Sequence, residues 1–399
     1  MSKPHKENSS NRFDVKPSTP VSVFTRKTGI VESFAINDVA PVVGMSSRFI
    51  HKVVGNRNIL SLDDIYALLD QDAFQETFVP RSKITDYLVN QAKQQKRTTS
   101  SKHAPLNCVL HGDANDLIDS LPNEQVQCVV TSTPYWAMRI YDEMHQTSWA
   151  DGEKCPFGLE QTPEGFIRHS VEILYKLYPK IKAKGSIWWD IMDTYNTRTQ
   201  IRNNAVEALR AMQGKETKKW TDHAYKRYSC GHSFLKDGEQ CLIPHRIAER
   251  AAKIGYYVKS IISWCKSSSL PEPQNSRVSR DVEYILHLAK TRTPFFQKEC
   301  YLSFPKEIGG KQEMESEKLS DFWYLPTSSG RDGHGAQFPL QLPGRCILLS
   351  SKEKDIVFDP FSGSGTTLLA AKKLNRNYLG IDTSTQYINL SCNRLLKQK

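Results

Sequence analysis

Asp355-Ile-Val-Phe-Asp359-Pro-Phe361-Ser-Gly363-Ser-Gly365-Thr366-Thr367-Leu368 is the stretch on which the reading of this chain turns. An apolar run ends in a carboxylate, passes through a glycine-rich turn and reaches two threonines that open a helical pattern. Glycines let the backbone approach a ligand closely, and a helix N-terminus offers free N–H groups to an anion. A second apolar run, Asn377-Tyr-Leu-Gly-Ile-Asp382, ends in another carboxylate 23 residues beyond Asp359. In doubly wound nucleotide-binding sheets, an acidic residue at about that distance holds a ribose hydroxyl pair. The turn is not a Walker loop, because no lysine follows the glycines, and its G-S-G-T-T spacing is not G-x-G-x-x-G. The pattern points to a site for an adenosine-containing cofactor.

Upstream, short β-rich runs alternate with helical patterns. The runs are Cys108–Leu110, Val126–Thr131, Ser186–Asp190, Val258–Trp264, Glu283–Leu288, Ile356–Phe358 and Tyr378–Ile381. Helical stretches at Thr162–Leu177, His245–Ile254 and Thr366–Leu374 fall between them. This alternation predicts an α/β fold with a mostly parallel sheet covered by helices. After Asp382 there is room for one helix only, so the next cofactor-facing strand must come from earlier in the chain. Asn107–Gly112 is the natural supplier, and the sheet order is then permuted relative to the sequence.

The bulk properties set the wider limits. The 399 residues are 39% hydrophobic and 24% charged, enough for one large domain and a small accessory one. Arginine and lysine outnumber acidic residues by 54 to 43, a net charge of +11 that favours a polyanionic partner. No apolar run is long enough to span a bilayer. The first 31 residues are polar, carry no signal-like apolar stretch, and are expected to be a disordered tail on a cytoplasmic protein. Nine scattered cysteines without a C-x-x-C argue for reduced thiols. Cys230, His232 and Cys241 lack zinc-site spacing and a fourth ligand, so no metal is expected.

Residues 32–80 are expected to form a small helical unit. Within it, Ala40 is small enough for close helix contact, Gly44 suits a tight turn, and Ser46 caps a second helix carrying Arg48, His51 and Lys52. That layout is helix-turn-helix-like and makes Arg48 and Lys52 candidate DNA contacts. Ser61-Leu-Asp-Asp64 is a capping box, with Asp in place of Glu, opening a third helix. Residues 81–105 are polar and basic, a linker. Residues 106–399 form the catalytic domain.

A second chemical motif is Val129-Val130-Thr131-Ser132-Thr133-Pro134-Tyr135-Trp136, again a strand emptying into a short loop. A small hydroxyl, a proline-stiffened turn and two aromatics suit a pocket for a planar polar ring.

Taken in order, these motifs make the chain resemble the β-class amino-methyltransferases of restriction–modification systems, above all their cytosine-N4 branch. There an S-P-P-Y-type motif precedes a D-P-F-x-G-S-G-T motif. Between them, Gly185-Ser-Ile-Trp-Trp-Asp-Ile resembles the family's central strand. Ile243-Pro-His-Arg through Gly255-Tyr-Tyr, followed by Ser263-Trp264-Cys-Lys266 and Arg277, resembles its W-x-K segment. His334-Gly-Ala-Gln-Phe338-Pro339 resembles its H-x-A-x-F-P motif. Likeness runs from about Leu106 to Leu396. It departs at Thr133, where proline is usual, and at Ser268, where asparagine is common.

The resemblance implies a Rossmann-like fold with permuted motifs and S-adenosylmethionine as cofactor, held by Asp113, Phe338, Asp359, Phe361, Gly363, Gly365, Thr366 and Asp382. It assigns Asp113 to the adenine amino group. Catalysis falls to Ser132, Thr133, Pro134 and Tyr135. The flipped base stacks on Tyr135 while Ser132 and a Thr133 or Pro134 carbonyl accept hydrogen bonds from its amine. Trp136, Lys266 and Arg277 are expected to face the DNA, with residues 291–320 recognising the target. The basic, aromatic-rich stretch from Thr197 to Gln240 is a further candidate DNA-lining segment. Ser132 favours cytosine N4, since adenine-N6 enzymes mostly carry Asp or Asn there. No Pro-Cys loop for attack on the cytosine ring is present. The expected partner is double-stranded DNA, the expected state a monomer, and a cognate restriction endonuclease is a functional rather than a physical partner. Two other readings stand beside this one: adenine N6 as target, or a helix-turn-helix regulator with little catalysis.

Overall fold

Eight strands build one sheet, each formed where β-branched and aromatic residues cluster. They are β1 (Cys108–His111), β2 (Val126–Ser132), β3 (Ile181–Ile191), β4 (Tyr257–Lys266), β5 (Val282–Ala289), β6 (Phe322–Leu325), β7 (Ile356–Asp359) and β8 (Asn377–Asp382). Their order across the sheet is β6-β4-β5-β3-β2-β7-β8-β1. Pairing is parallel throughout except for β5, which runs antiparallel to both β4 and β3. The computed structural model describes residues 33–43, 47–61, 64–65, 68, 103–136, 145–150, 153–160, 162–196, 199–200, 227–228, 235–236, 238–267, 275–328 and 338–397. The polar tail, Gly44, Ser46, Cys230, His232, Ser268, His334 to Gln337, and most of the basic stretch between Thr197 and Gln240 lie outside the described residues.

Helices cover both faces. α1 (Ala114–Ser120), α2 (Pro163–Leu177) and α3 (Ile243–Lys253) pack on one, burying Ile118, Phe166 and Ile247 against Val129, Trp189 and Phe358. α4 (Gln341–Ser350) and α5 (Thr366–Lys373) pack on the other, where Leu342, Cys346 and Ala370 meet Cys128, Val130 and Trp188. Neighbours on one strand, Val129 and Val130 or Trp188 and Trp189, thus go to opposite layers, as strand geometry requires. β2 is buried along nearly its whole length, which explains its unbroken apolar run. α6 (Thr385–Leu396) closes the β1 edge.

The predicted pairing of β1 beside β8 is observed, with Asp382 opposite His111. The chain leaves β7 toward β8 on one side and β2 toward β3 on the other. The reversal therefore falls between β2 and β7, and ligands of such sheets bind beyond the strands' carboxyl ends at that point. Ser132, Asp190, Asp359 and Asp382 all stand at this edge.

One expectation needs correction. The unit before residue 69 is not purely helical: helices Ile36–Val43 and Ser47–Val54 are closed by an antiparallel pair, Ser33–Ala35 with Ile59–Ser61. Its capping box does form, Ser61 N–H donating to Asp64 Oδ2 and Asp64 N–H to Ser61 Oγ. Residues 291–320, the expected recognition segment, run along one face of the sheet to the start of β6, which pairs with the last residues of β4. They begin at the edge opposite the ligand edge, because β5 runs backwards, and then fold along α4. There Arg345, buried, grips both oxygens of Glu315 at 2.7 and 2.8 Å and donates to the Gly309 and Gly310 carbonyls. Among the described residues no helix is long and apolar enough to cross a membrane.

Candidate active site

The glycine turn after β7 is shaped by its neighbours. Gly365 lies in the left-handed region (φ 78°), and a Cβ there would collide with Ser391 Oγ. Gly363 is also left-handed (φ 49°), but a Cβ there meets nothing within 4 Å. The first glycine is demanded by protein packing; the second opens onto free space where a ligand can lie against the backbone. Gly363 N–H donates to Asp382 Oδ2 and Ser384 N–H to Asp382 Oδ1, both at 2.8 Å. Each carboxylate oxygen keeps a further lone pair for a hydroxyl. Burial raises the Asp382 carboxyl above its ordinary range. Thr366 begins α5 and is buried, with Arg394 donating to its hydroxyl at 3.2 Å.

Asp359, expected at the cofactor, makes a link within the protein. It is buried, accepting from Thr131 Oγ1 at 2.7 Å and from Phe361 N–H at 3.1 Å. Thr131 immediately precedes Ser132, so this carboxyl ties the loop after β2 to the glycine turn. Burial pushes it up to about 6. Phe361 stacks on Phe157 with centroids 5.3 Å apart and meets Trp189 edge-on. Asp113 caps α1 by accepting from Asn115 N–H at 2.8 Å, and also accepts from Thr147 Oγ1. Phe338 is half-buried and packs against the α4 layer.

Ser132 ends β2 opposite Asp190 on β3. Its hydroxyl donates to the Tyr135 phenol at 3.1 Å. The phenol in turn contacts Asp190 Oδ2 at 3.0 Å and Glu283 Oε2, and Lys266 sits 2.9 Å from Glu283 Oε1. Burial, and then the charge of Glu283, pushes the Asp190 carboxyl well up; burial does the same to the Tyr135 phenol. Thr133 is buried, and its hydroxyl has no hydrogen-bond partner among the described residues. Pro134 is approached by Gly158, where a Cβ would lie 3.0 Å from the proline Cβ. Glu160, fully buried, accepts from Gly158 N–H and bonds His169 Nδ1 at 2.9 Å.

Three residues expected at the DNA are held by contacts within the protein. Trp136 is 1% exposed and donates to the Glu160 carbonyl, so it anchors the loop from beneath. Lys266 is turned inward to Glu283. Arg277 lies 3.8 Å over the Tyr195 ring, bracing the chain where it leaves β3. Arg48 and Lys52 are exposed on their helix. Glu283 and Glu160 escape a sequence reading because each is a lone carboxylate far from the motif it serves, and Asp190 stands in the central-strand motif with nothing in the sequence to mark its partner.

An open cradle at Gly363, a carboxylate with spare lone pairs beside it and a hydroxyl loop across the switch point fit an S-adenosylmethionine-dependent methyltransferase, whose fold this is. Residues 126–393 match the sequence model of the N6/N4 DNA methylases, and the chain belongs to that DNA methylase family. The type II methyltransferase M.XycI of Xanthomonas campestris pv. cyanopsidis is 30% identical over 295 residues, spanning 73% of this chain and 88% of that one. M.Cfr9I of Citrobacter freundii is 28% identical over 292 residues, 72% and 87% of the two chains. Among solved structures, the cytosine-N4-specific PvuII DNA methyltransferase superposes with a TM-score of 0.50 at 18% identity, covering 76% of this chain and 89% of that one. That last likeness bears on the fold alone.

Proposed function

We propose that this DNA methyltransferase modifies cytosine at N4 within a specific duplex sequence, and that it protects its own genome from a cognate restriction endonuclease. The observation that carries the reading is the position of Ser132: a small hydroxyl in register with Asp190 and joined through Thr131 and Asp359 to the cofactor turn. Bound at Gly363 and Asp382, S-adenosylmethionine supplies an electrophilic methyl group. Asp113 reaches the same edge from β1, next to β8, and is the candidate for the adenine end.

The chain's own residues do the rest. A base flipped from the duplex lies on the Tyr135 ring, whose hydroxyl is tethered inward and so fixes the ring plane. Ser132 Oγ and a carbonyl of the Thr133-Pro134 turn accept from the amine, drawing its nitrogen toward tetrahedral geometry and aiming the lone pair. Positioning supplies most of the rate. Gly158, Trp136 and the Glu160–His169 pair keep the turn in place from below. DNA approaches this edge, and the basic segment between Thr197 and Gln240 starts and ends here, clamped by Asn196 N–H to the Glu239 carbonyl and Cys241 N–H to the Thr194 carbonyl.

The test is incubation with tritiated S-adenosylmethionine and unmethylated genomic DNA, followed by nucleoside analysis. Label is expected in N4-methylcytosine, with Ser132→Ala losing it. Label in N6-methyladenine overturns the choice of base while keeping the chemistry.

A further inference from the structure

Replacing an N–H of the target amine by N–CH3 releases a proton, and a site closed over a flipped base offers it little water. Behind Ser132 lies a continuous set of oxygens. Ser132 Oγ is 3.1 Å from the Tyr135 phenol, the phenol touches Glu283 Oε2, and Glu283 Oε1 is 2.9 Å from Lys266 Nζ. The elements converge for topological reasons: Ser132 and Tyr135 come from the end of β2, Asp190 from β3, Glu283 from the antiparallel β5 and Lys266 from the end of β4. The only antiparallel strand of the sheet begins at the ligand edge, and so delivers its second residue, Glu283, beneath the loop.

We propose that Glu283, steadied by Lys266 and reached through the Tyr135 phenol, is where the proton of the target amine comes to rest. This rests on the reading of the Ser132–Tyr135 loop as the amine site. Once methylated, the nitrogen is positively charged, and its N–H bond breaks as Ser132 Oγ takes the proton. The Ser132 hydroxyl proton passes to the Tyr135 oxygen, and the phenol proton to Glu283 Oε2. Electron pairs shift the opposite way and end on nitrogen. Serine and tyrosine finish as they began; Glu283 becomes a neutral acid. Two carboxylates share the phenol, and geometry separates them: the ammonium of Lys266 sits on Glu283 and gives a negative charge there its partner. Asp190, buried and beside that charge, is held neutral, with Oδ1 unpaired among the described residues. Glu283 acts through Tyr135 and touches no reacting atom, so it is a positioning and proton-accepting residue.

Three variants test this: Tyr135→Phe, which keeps the ring, Glu283→Gln, and the two combined. Single-turnover methylation is expected to fall roughly 100- to 1,000-fold in each, the usual contribution of one proton acceptor. DNA and S-adenosylmethionine dissociation constants should stay within about threefold, and the combined variant should lose no more than either alone, since both cut one path. As a control, Glu283→Asp, which keeps a carboxylate in the path, should retain part of the rate that Glu283→Gln loses. An N-methylated base from the unaltered enzyme, with either single variant at its rate, overturns the relay alone. A ring-methylated product, or none, overturns the amine reading and the relay together.

Discussion

At the scale of single residues, the glycine turn separates two kinds of necessity. Gly365→Ala puts a methyl group into Ser391 at a positive φ, and should destabilise the fold by roughly 1–3 kcal/mol in urea. Gly363→Ala faces open space and should cost only about 1 kcal/mol for its left-handed backbone. Its S-adenosylmethionine affinity should nevertheless drop at least roughly tenfold (about 1.4 kcal/mol). Equal affinity in the Gly363 variant and the unaltered protein would remove the cradle from the site. Asp359 gives a pH signature. Its folded-state value of about 6 lies above the ordinary 3.8, so the folded chain binds its proton more tightly. Stability from this group is complete below about pH 4 and lost as pH rises through about 6. Asp359→Asn should remove that slope, a difference of about 3 kcal/mol at most between variant and parent, read from urea midpoints at pH 4 and 7. The motif residues were legible because β2 and β7 each carry theirs contiguously. The partners of Asp190 and Glu283 were not. A strand-end carboxylate looks the same whether it faces solvent or a phenol, and only the sheet order brings β3 and β5 under the loop.

At the scale of elements, alternation of apolar runs with helical patterns gave the seven strands from β1 to β5, β7 and β8 to within two residues at either end, except that β3 begins five residues before the expected Ser186. It missed β6, four residues long with Phe322 exposed at its start. So short an edge strand has no period to read. The course of 291–320 was not legible for a physical reason: a reversed strand exits at the far edge, and nothing in Val282–Ala289 itself announces its direction. What holds the segment down is the Arg345–Glu315 pair, both members almost wholly buried. A buried charge left alone costs more than the pair contributes. Arg345→Met is therefore expected to lose about 3–5 kcal/mol in urea, and Glu315→Leu added to it to recover most of that. Methyl transfer at low temperature should survive in the double variant, since this segment lies away from Ser132. Loss of activity with stability restored would place the segment in the reaction after all.

On the scale of the whole molecule, a surplus of 11 positive charges meets a polyanion, and the question is where the contact is made. The two cations first expected at the DNA near the loop are both engaged within the protein, Lys266 by Glu283 and Arg277 by Tyr195. The remaining described candidates sit on the helix Ser47–Val54, where Arg48 and Lys52, four residues apart, share one exposed face. This helix is joined to the catalytic body through its neighbour, since Tyr175 on α2 donates to the Asn37 carbonyl at 3.3 Å. A cation fixed that way can add affinity to DNA already lying on the ligand edge without altering which base is chosen. Each phosphate contact contributes roughly 0.9 to the slope of log K against log salt. Arg48→Ala with Lys52→Ala should therefore flatten that slope by between about 1 and 2, weakening binding alike for target and unrelated duplexes, with the methylated base and its sequence unchanged. An unaltered slope would leave the N-terminal unit out of the DNA interface. A change in the methylated sequence would instead make its helix part of recognition.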